Sequence, residues 1–253
     1  MRQETENILK FSKQIILKKI GVVGQKKIFR SKVMIIGMGG LGCPLVQYLA
    51  TSGIGNIGLV DHDRVEISNL SRQILFNKQD IGKYKVISAK KKISKISKKI
   101  NISTFVKKLE KNNIKLILKD YDIICDGTDN YQTRYLINDY CLKNKKILIS
   151  AAISKFSGHV FKFNFKKKIP CFRCFMPEIP SSALNCETDG VISTIGGIIG
   201  TMQANEVIKT IVGLKDDLNG NMLVYDSLKN ELRKIKLTKN LDCILECKKN
   251  KDY

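Results

Sequence analysis

The stretch that most constrains this chain is Gly37-Met38-Gly39-Gly40-Leu41-Gly42, because of what flanks it. Before it, residues 32–36 (KVMII) are a short apolar run of the kind that forms a buried strand. After it, Leu41, Leu45, Tyr48 and Leu49 recur with helical spacing, and the helix is expected to run to residue 52. A second apolar run, residues 56–60, closes on Asp61. Strand, glycine turn, helix, strand is the βαβ order of a parallel, doubly wound sheet. Glycines permit the tight turn and let backbone N–H groups approach a phosphate at the helix N-terminus. Asp61 stands where a carboxylate would hold ribose hydroxyls. Taken alone, these features describe a nucleotide-binding unit, for which a NAD-binding oxidoreductase is the default reading.

The rest of the chain extends the same pattern. Helices are expected over residues 81–100, 114–118, 131–142 and 190–214, and strands over 102–106, 121–125, 146–151 and 159–165. Residues 222–226 and 231–237 pair as a hairpin, and residues 169–189, with three prolines and little periodicity, read as a long functional loop. The expected fold is α/β: a Rossmann-like, doubly wound, mostly parallel sheet with a C-terminal β-hairpin and a zinc-bound tail. No linker separates independent units, so one domain is expected over 1–253. Its parts are an N-terminal helical arm (1–30), a nucleotide-binding core (31–165), a zinc and crossover loop (166–190), and a C-terminal helix, hairpin and tail (191–253).

Composition bears on partners and compartment. Hydrophobic residues at 43% and charged residues at 27% exclude a disordered chain. The net charge of +22 would suit nucleic acid, yet only seven of the 45 basic residues are arginines. The lysines are scattered among Ile and Asn without interleaved aromatics, so the charge is read as compositional and no nucleic-acid partner is expected. In a chain that defaults to Lys, each Arg marks a place where a planar fork is wanted. The apolar stretch 191–214 is interrupted by Gln203, Asn205, Glu206 and Lys209, so no membrane partner is expected. The polar start MRQETENILK is no leader, and a cytoplasmic location follows.

Eight cysteines in such a chain point to metal or thiol chemistry rather than disulfides. Cys171 and Cys174 form a C-x2-C, and Cys243 and Cys247 a C-x3-C; four thiolates suffice for a closed, structural zinc site. Cys43, Cys125 and Cys141 sit in helix or strand patterns and read as small core residues.

The polar residues argue against the oxidoreductase. Residues 61–73 (DHDRVEISNLSRQ) follow the second strand, Lys85 comes soon after, and residues 126–130 (DGTDN) follow the strand YDIIC. An Arg, a Lys, an Asn and a carboxylate at one sheet edge suit a triphosphate with Mg2+, whose charge they neutralise and hold. A dehydrogenase would need a proton-transfer group, and neither histidine, His62 or His159, falls in a loop suited to that role.

In their order, GMGGLG, DHDRVEISNLSRQ, GK-Y-K, DGTDN and PCFRC resemble the MoeB/ThiF/HesA family, relatives of ubiquitin-activating enzymes, over nearly the whole chain. The likeness leans to the branch that acts as molybdopterin-synthase adenylyltransferase. It implies an adenylyltransferase that uses ATP to activate the C-terminal glycine carboxylate of a ubiquitin-like sulfur-carrier protein, of the molybdopterin or the thiazole pathway. It further implies that Asp61 binds ribose, that Gly39 and Gly40 line the nucleotide, and that Asn69, Arg72 and Lys85 contact phosphates. Asp129 would hold Mg2+, with Thr128 beside it in the nucleotide site. Where relatives carry an arginine that reaches across a homodimer to the triphosphate, this chain has Lys13, which keeps the charge without the fork. The resemblance implies the same four-cysteine zinc site, although relatives usually space the second pair as C-x2-C. It also places Cys186 where a cysteine of the thiazole branch can join the carrier. No sulfur-transfer module follows Tyr253, so a separate sulfur donor is expected. A branch that cyclises a modified adenosine in tRNA is the alternative within the superfamily.

Overall fold

A computed structural model describes residues 2–97, 99–179, 190–214 and 218–245. The chain begins with α1 (Arg2–Ile15) and α2 (Gly21–Arg30), followed by β1 (Lys32–Ile36), α3 (Gly42–Ser52) and β2 (Asn56–Val60). It continues through α4 (Lys85–Ile96), β3 (Asn101–Phe105), α5 (Ile114–Leu118), β4 (Ile123–Asp126), α6 (Tyr131–Lys143) and β5 (Ile147–Ser154). Then come β6 (Ser157–Asn164), the single turn α7 (Phe172–Phe175), α8 (Ser193–Val212), β7 (Asn221–Asp226) and β8 (Glu231–Lys236).

Among the described residues, eight strands join one sheet in the order β3-β2-β1-β4-β5-β6-β7-β8. The pairs from β3 to β5 are parallel and those from β5 to β8 antiparallel, so a Rossmann-like half is extended by a meander. Alternation along β1 sets two cores. Val33 and Ile35 pack with Leu45 and Leu49 of α3, Val86 and Ile93 of α4, and Ile195 and Ile199 of α8. Met34 and Ile36 face Ile117 and Leu118 of α5 and Tyr135 and Ile137 of α6. Burying both faces is what makes the parallel strands near-continuous apolar runs.

Three expected elements differ for identifiable reasons. The helix expected over 81–100 begins only at Lys85, because Gly82, at φ +81°, gives its N–H to the Val65 carbonyl and Arg64 bridges to Tyr84. It ends at Ile96, where Ser97 turns extended. The loop 169–189 contains α7, whose buried Phe172 donates its N–H to Asn138 Oδ1 at 2.9 Å. The last helix runs from Ser193 to Val212, stopped by left-handed Gly213, whose N–H bonds the Lys209 carbonyl. Among the described residues, no helix is long and apolar enough to cross a membrane.

Candidate functional site

Strand β1 lies between β2 and β4, so the chain winds away to opposite sides from it. Ligands of open α/β sheets bind outside the strand C-termini at such a switch point. The turns after β1, β2 and β4 meet there. Gly37 has φ +91°, and a Cβ on it would stand 2.8 Å from the Gly127 carbonyl oxygen, so the first and third turns touch backbone to backbone. Gly39 and Gly40 are different: a Cβ on either would meet nothing nearer than 3.8 Å. Among the described residues, nothing packed against these two positions demands glycine, and the space above them is an open cradle.

Asp61 closes the cradle from the β2 side. Its two carboxylate oxygens accept the N–H of Met38 at 2.7 Å and of Asp63 at 2.8 Å. Burial pushes its carboxyl above the ordinary range, opposed by those two N–H groups and by the Lys85 charge. A carboxylate offers about four lone-pair sites, so two remain for hydroxyl donors. Asn69 is buried and its Oδ1 accepts the Glu66 N–H, which fixes the loop that carries Arg72. Arg72 returns one guanidinium N–H to the Ser68 carbonyl and extends along Gly40, with Cγ 3.8 Å from a Cβ there. A cleft of about 170 Å³ opens beside it, lined by Gly40, Ser71, Arg72, Ser193, Thr194 and Gly197. Lys85 is buried at the start of α4, its Nζ 2.8 Å from Asp63 Oδ2.

The turn after β4 is held by a network that sequence reasoning did not find. Asp126 is fully buried; its carboxylate accepts from the Thr128 hydroxyl at 2.6 Å and the Ser150 hydroxyl at 2.7 Å, with Arg134 Nε at 3.6 Å. Arg134 also donates to the Thr128 and Ala151 carbonyls, at 2.7 and 2.9 Å. Gln203 of α8 donates to the carbonyls of Asp126 and Ile149. Thr128 therefore faces inward as part of the scaffold, whereas Asp129 projects as an exposed carboxylate. The clue available beforehand was Arg134 itself, one of few arginines in a lysine-rich chain.

Lys13 is exposed on α1. Its neighbour Gln14 donates to the Ser52 carbonyl at the far end of α3, which begins at the glycine turn and is roughly 16 Å long. The structure thus does not bring Lys13 to its own chain's cradle.

Cys171, Cys174 and Cys243 come together although the last lies 72 residues from the first, with Sγ–Sγ distances of 3.9 Å (171–174) and 3.7 Å (171–243). The edge of a tetrahedron with metal–sulfur bonds of ~2.3 Å is about 3.8 Å. Three thiols with that spacing and no disulfide fit a zinc site; Cys247 and Cys186 lie outside the described residues. Burial pushes Cys43 up to about 12 and raises Cys125 and Cys141 well above the usual thiol range, so all three are unreactive core residues.

Known proteins resemble this chain along most of its length. The chain is 42% identical over 240 residues to the adenylyltransferase and sulfurtransferase MOCS3 of Culex quinquefasciatus, covering 94% of this chain and 55% of the relative. It is 41% identical to MOCS3 of Xenopus laevis, with 94% and 53% covered. The chain therefore spans about half the length of the curated relatives it matches. Among solved structures, E. coli MccB with ATP superposes with a TM-score of 0.79 at 24% identity, covering 88% of this chain and 69% of that one. PaaA superposes with a TM-score of 0.80 at 21% identity, covering 92% and 84%. Residues 11–245 match the ThiF family, and the chain belongs to that family.

Proposed function

We propose that this chain is an adenylyltransferase that activates the C-terminal glycine carboxylate of a ubiquitin-like sulfur-carrier protein with ATP. The observation that carries the reading is the meeting of the open Gly39–Gly40 cradle, Arg72 and Asp61 at the switch point of the sheet. The 42% identity to a protein named as an adenylyltransferase and sulfurtransferase supports it.

In this reading the adenosine ribose sits on Asp61 and the phosphates run over Gly39 and Gly40 toward Arg72. The carrier carboxylate attacks the α-phosphorus, the bond to the bridging oxygen of the β-phosphate breaks, and acyl-adenylate and pyrophosphate result. Attack at phosphorus needs no protein nucleophile; positioning and charge neutralisation by Asn69, Arg72 and Lys85 supply the catalysis. Lys85 has to exchange part of its ion pair with Asp63 for phosphate. Asp129 would hold Mg2+, which when bound neutralises phosphate charge. Zinc would be held by Cys171, Cys174 and Cys243, with Cys247 as the fourth ligand, tying the segment after β8 to α7; an all-cysteine site is structural. Lys13 would serve the nucleotide of a second protomer in a homodimer, and Cys186 would act after adenylation, in sulfur transfer.

The test is ATP–pyrophosphate exchange with purified protein, Mg2+ and a carrier ending in Gly-Gly. Exchange that depends on the carrier is expected. Turnover of a modified tRNA without carrier-dependent exchange would move the assignment to the RNA-modifying branch.

A further inference from the structure

Gln73 follows Arg72 and is only 3% exposed. Its backbone is satisfied, with its N–H on the Asn69 carbonyl at 2.8 Å and its carbonyl accepting the Phe76 N–H at 3.0 Å. Its side chain is not. Oε1 is enclosed and has no hydrogen-bond partner among the described residues. The other end of the carboxamide, Nε2, lies 3.9 Å from the point where a Cβ on Gly39 would stand, and among the described residues it is the one atom within 4 Å of that point beyond the adjoining chain. Arg72 borders Gly40 in the same way. Consecutive residues of the loop thus border consecutive glycines of the cradle, the aliphatic stem of Arg72 beside Gly40 and the carboxamide of Gln73 beside Gly39.

Packing alone does not account for this choice. Leu or Met would fill the same volume without burying an amide oxygen that finds no partner, a burial that weakens the fold. What Gln supplies, and they do not, is a neutral N–H donor at the floor of the cradle. We propose that Gln73 is a nucleotide-binding residue whose Nε2 donates to a phosphate oxygen of ATP seated over Gly39. The inference rests on the nucleotide reading above and adds a specific donor to it. A neutral donor there complements the Arg72 cation: it grips a phosphate oxygen without adding to the crowd of positive charge.

The experiment compares the wild-type chain with Gln73→Leu and Gln73→Met by thermal unfolding and by calorimetric titration of ATP and of adenosine. Both variants are expected to melt, without ligand, at or above the wild-type temperature, because the orphaned oxygen is gone. Their ATP affinity is expected to fall roughly tenfold, the loss of one hydrogen bond to a charged group. Adenosine affinity is expected to stay the same. If Gln73→Leu does not fold, Gln73→Met, which keeps the unbranched shape, decides alone. ATP affinity within twofold of wild type would overturn the proposal, as would an equal loss for adenosine. A wild-type chain that binds no ATP would instead sink the nucleotide reading.

Discussion

At the switch point, two of the side chains proposed for the ligand do little for the fold: Arg72 bonds back to one carbonyl and Asp129 is exposed, while among the described residues a Cβ on Gly39 or Gly40 would meet nothing nearer than 3.8 Å. Around the cysteine cluster the opposite holds. Cys171 is buried, Phe172 is pinned by Asn138 and packed edge-on against Tyr135 and Phe161, and Arg173 grips Asp139 with two bonds of 2.8 Å. One region leaves its polar groups open for a ligand and lets buried neighbours such as Asp126 and Arg134 carry the structure. The other spends its polar groups on holding chain segments together. Substitutions should therefore separate cleanly: in the first region they change chemistry without stability, in the second stability without chemistry.

The largest effect should come from Asp129→Ala. Removing the proposed Mg2+ ligand leaves the phosphate charge uncompensated, and exchange should fall roughly a hundredfold or more. The melting temperature should not move, because Asp129 makes no ion pair or side-chain hydrogen bond among the described residues. Wild-type exchange rates would remove Asp129 from the site. A large drop in melting temperature would break the contrast between the regions.

Cys174→Ala should act the other way round. With one thiolate gone, metal analysis should find zinc lost, and unfolding should come at a temperature lower by roughly 5 °C or more, since metal binding is part of the folding free energy. Exchange measured below the unfolding range should stay within a few-fold of wild type. Full zinc content in this variant would refute the thiol site.

The same contrast decides what could be read from the sequence. The glycine turn, the two strands around it and Asp61 were legible because apolar runs, helical spacing and a glycine pattern are local signals. Asp126 was not, because its partners Ser150 and Arg134 are set by how β5 and α6 pack beside β4 rather than by any period along the chain. The helix α4 does not reach back to Ile81 as its apolar spacing suggests, because left-handed Gly82 bonds Val65 and Tyr84 bridges to Arg64, contacts set across the chain rather than along it. The scarcity of arginine proved the most useful non-local hint. Arg134 and Arg173 use the fork on buried or half-buried acceptors, and Arg64 stacks 3.9 Å over the Tyr84 ring while donating to the Gly82 carbonyl.

That hint gives the smallest and most discriminating prediction, Arg173→Lys. The Asp139 pair is partly exposed, with side chains 18% and 32% accessible, so solvent screens it and its charge alone is worth little. What Lys cannot reproduce is geometry. The guanidinium meets both carboxylate oxygens at once and lies 4.3 Å over the Tyr135 ring, whereas an ammonium can satisfy one contact at a time. The charge survives in Arg173→Lys, so any loss measures the fork and the stacking. The expected cost is about 1 kcal/mol, or a melting temperature lower by about 3 °C in a chain of this size. Zinc content and exchange should be unchanged, because Asn138 still holds Phe172 and the thiols beside it. An unshifted melting temperature would show that lysine serves as well there. Loss of zinc would show that Arg173, rather than Asn138 and the buried Phe172, sets the position of Cys171 and Cys174.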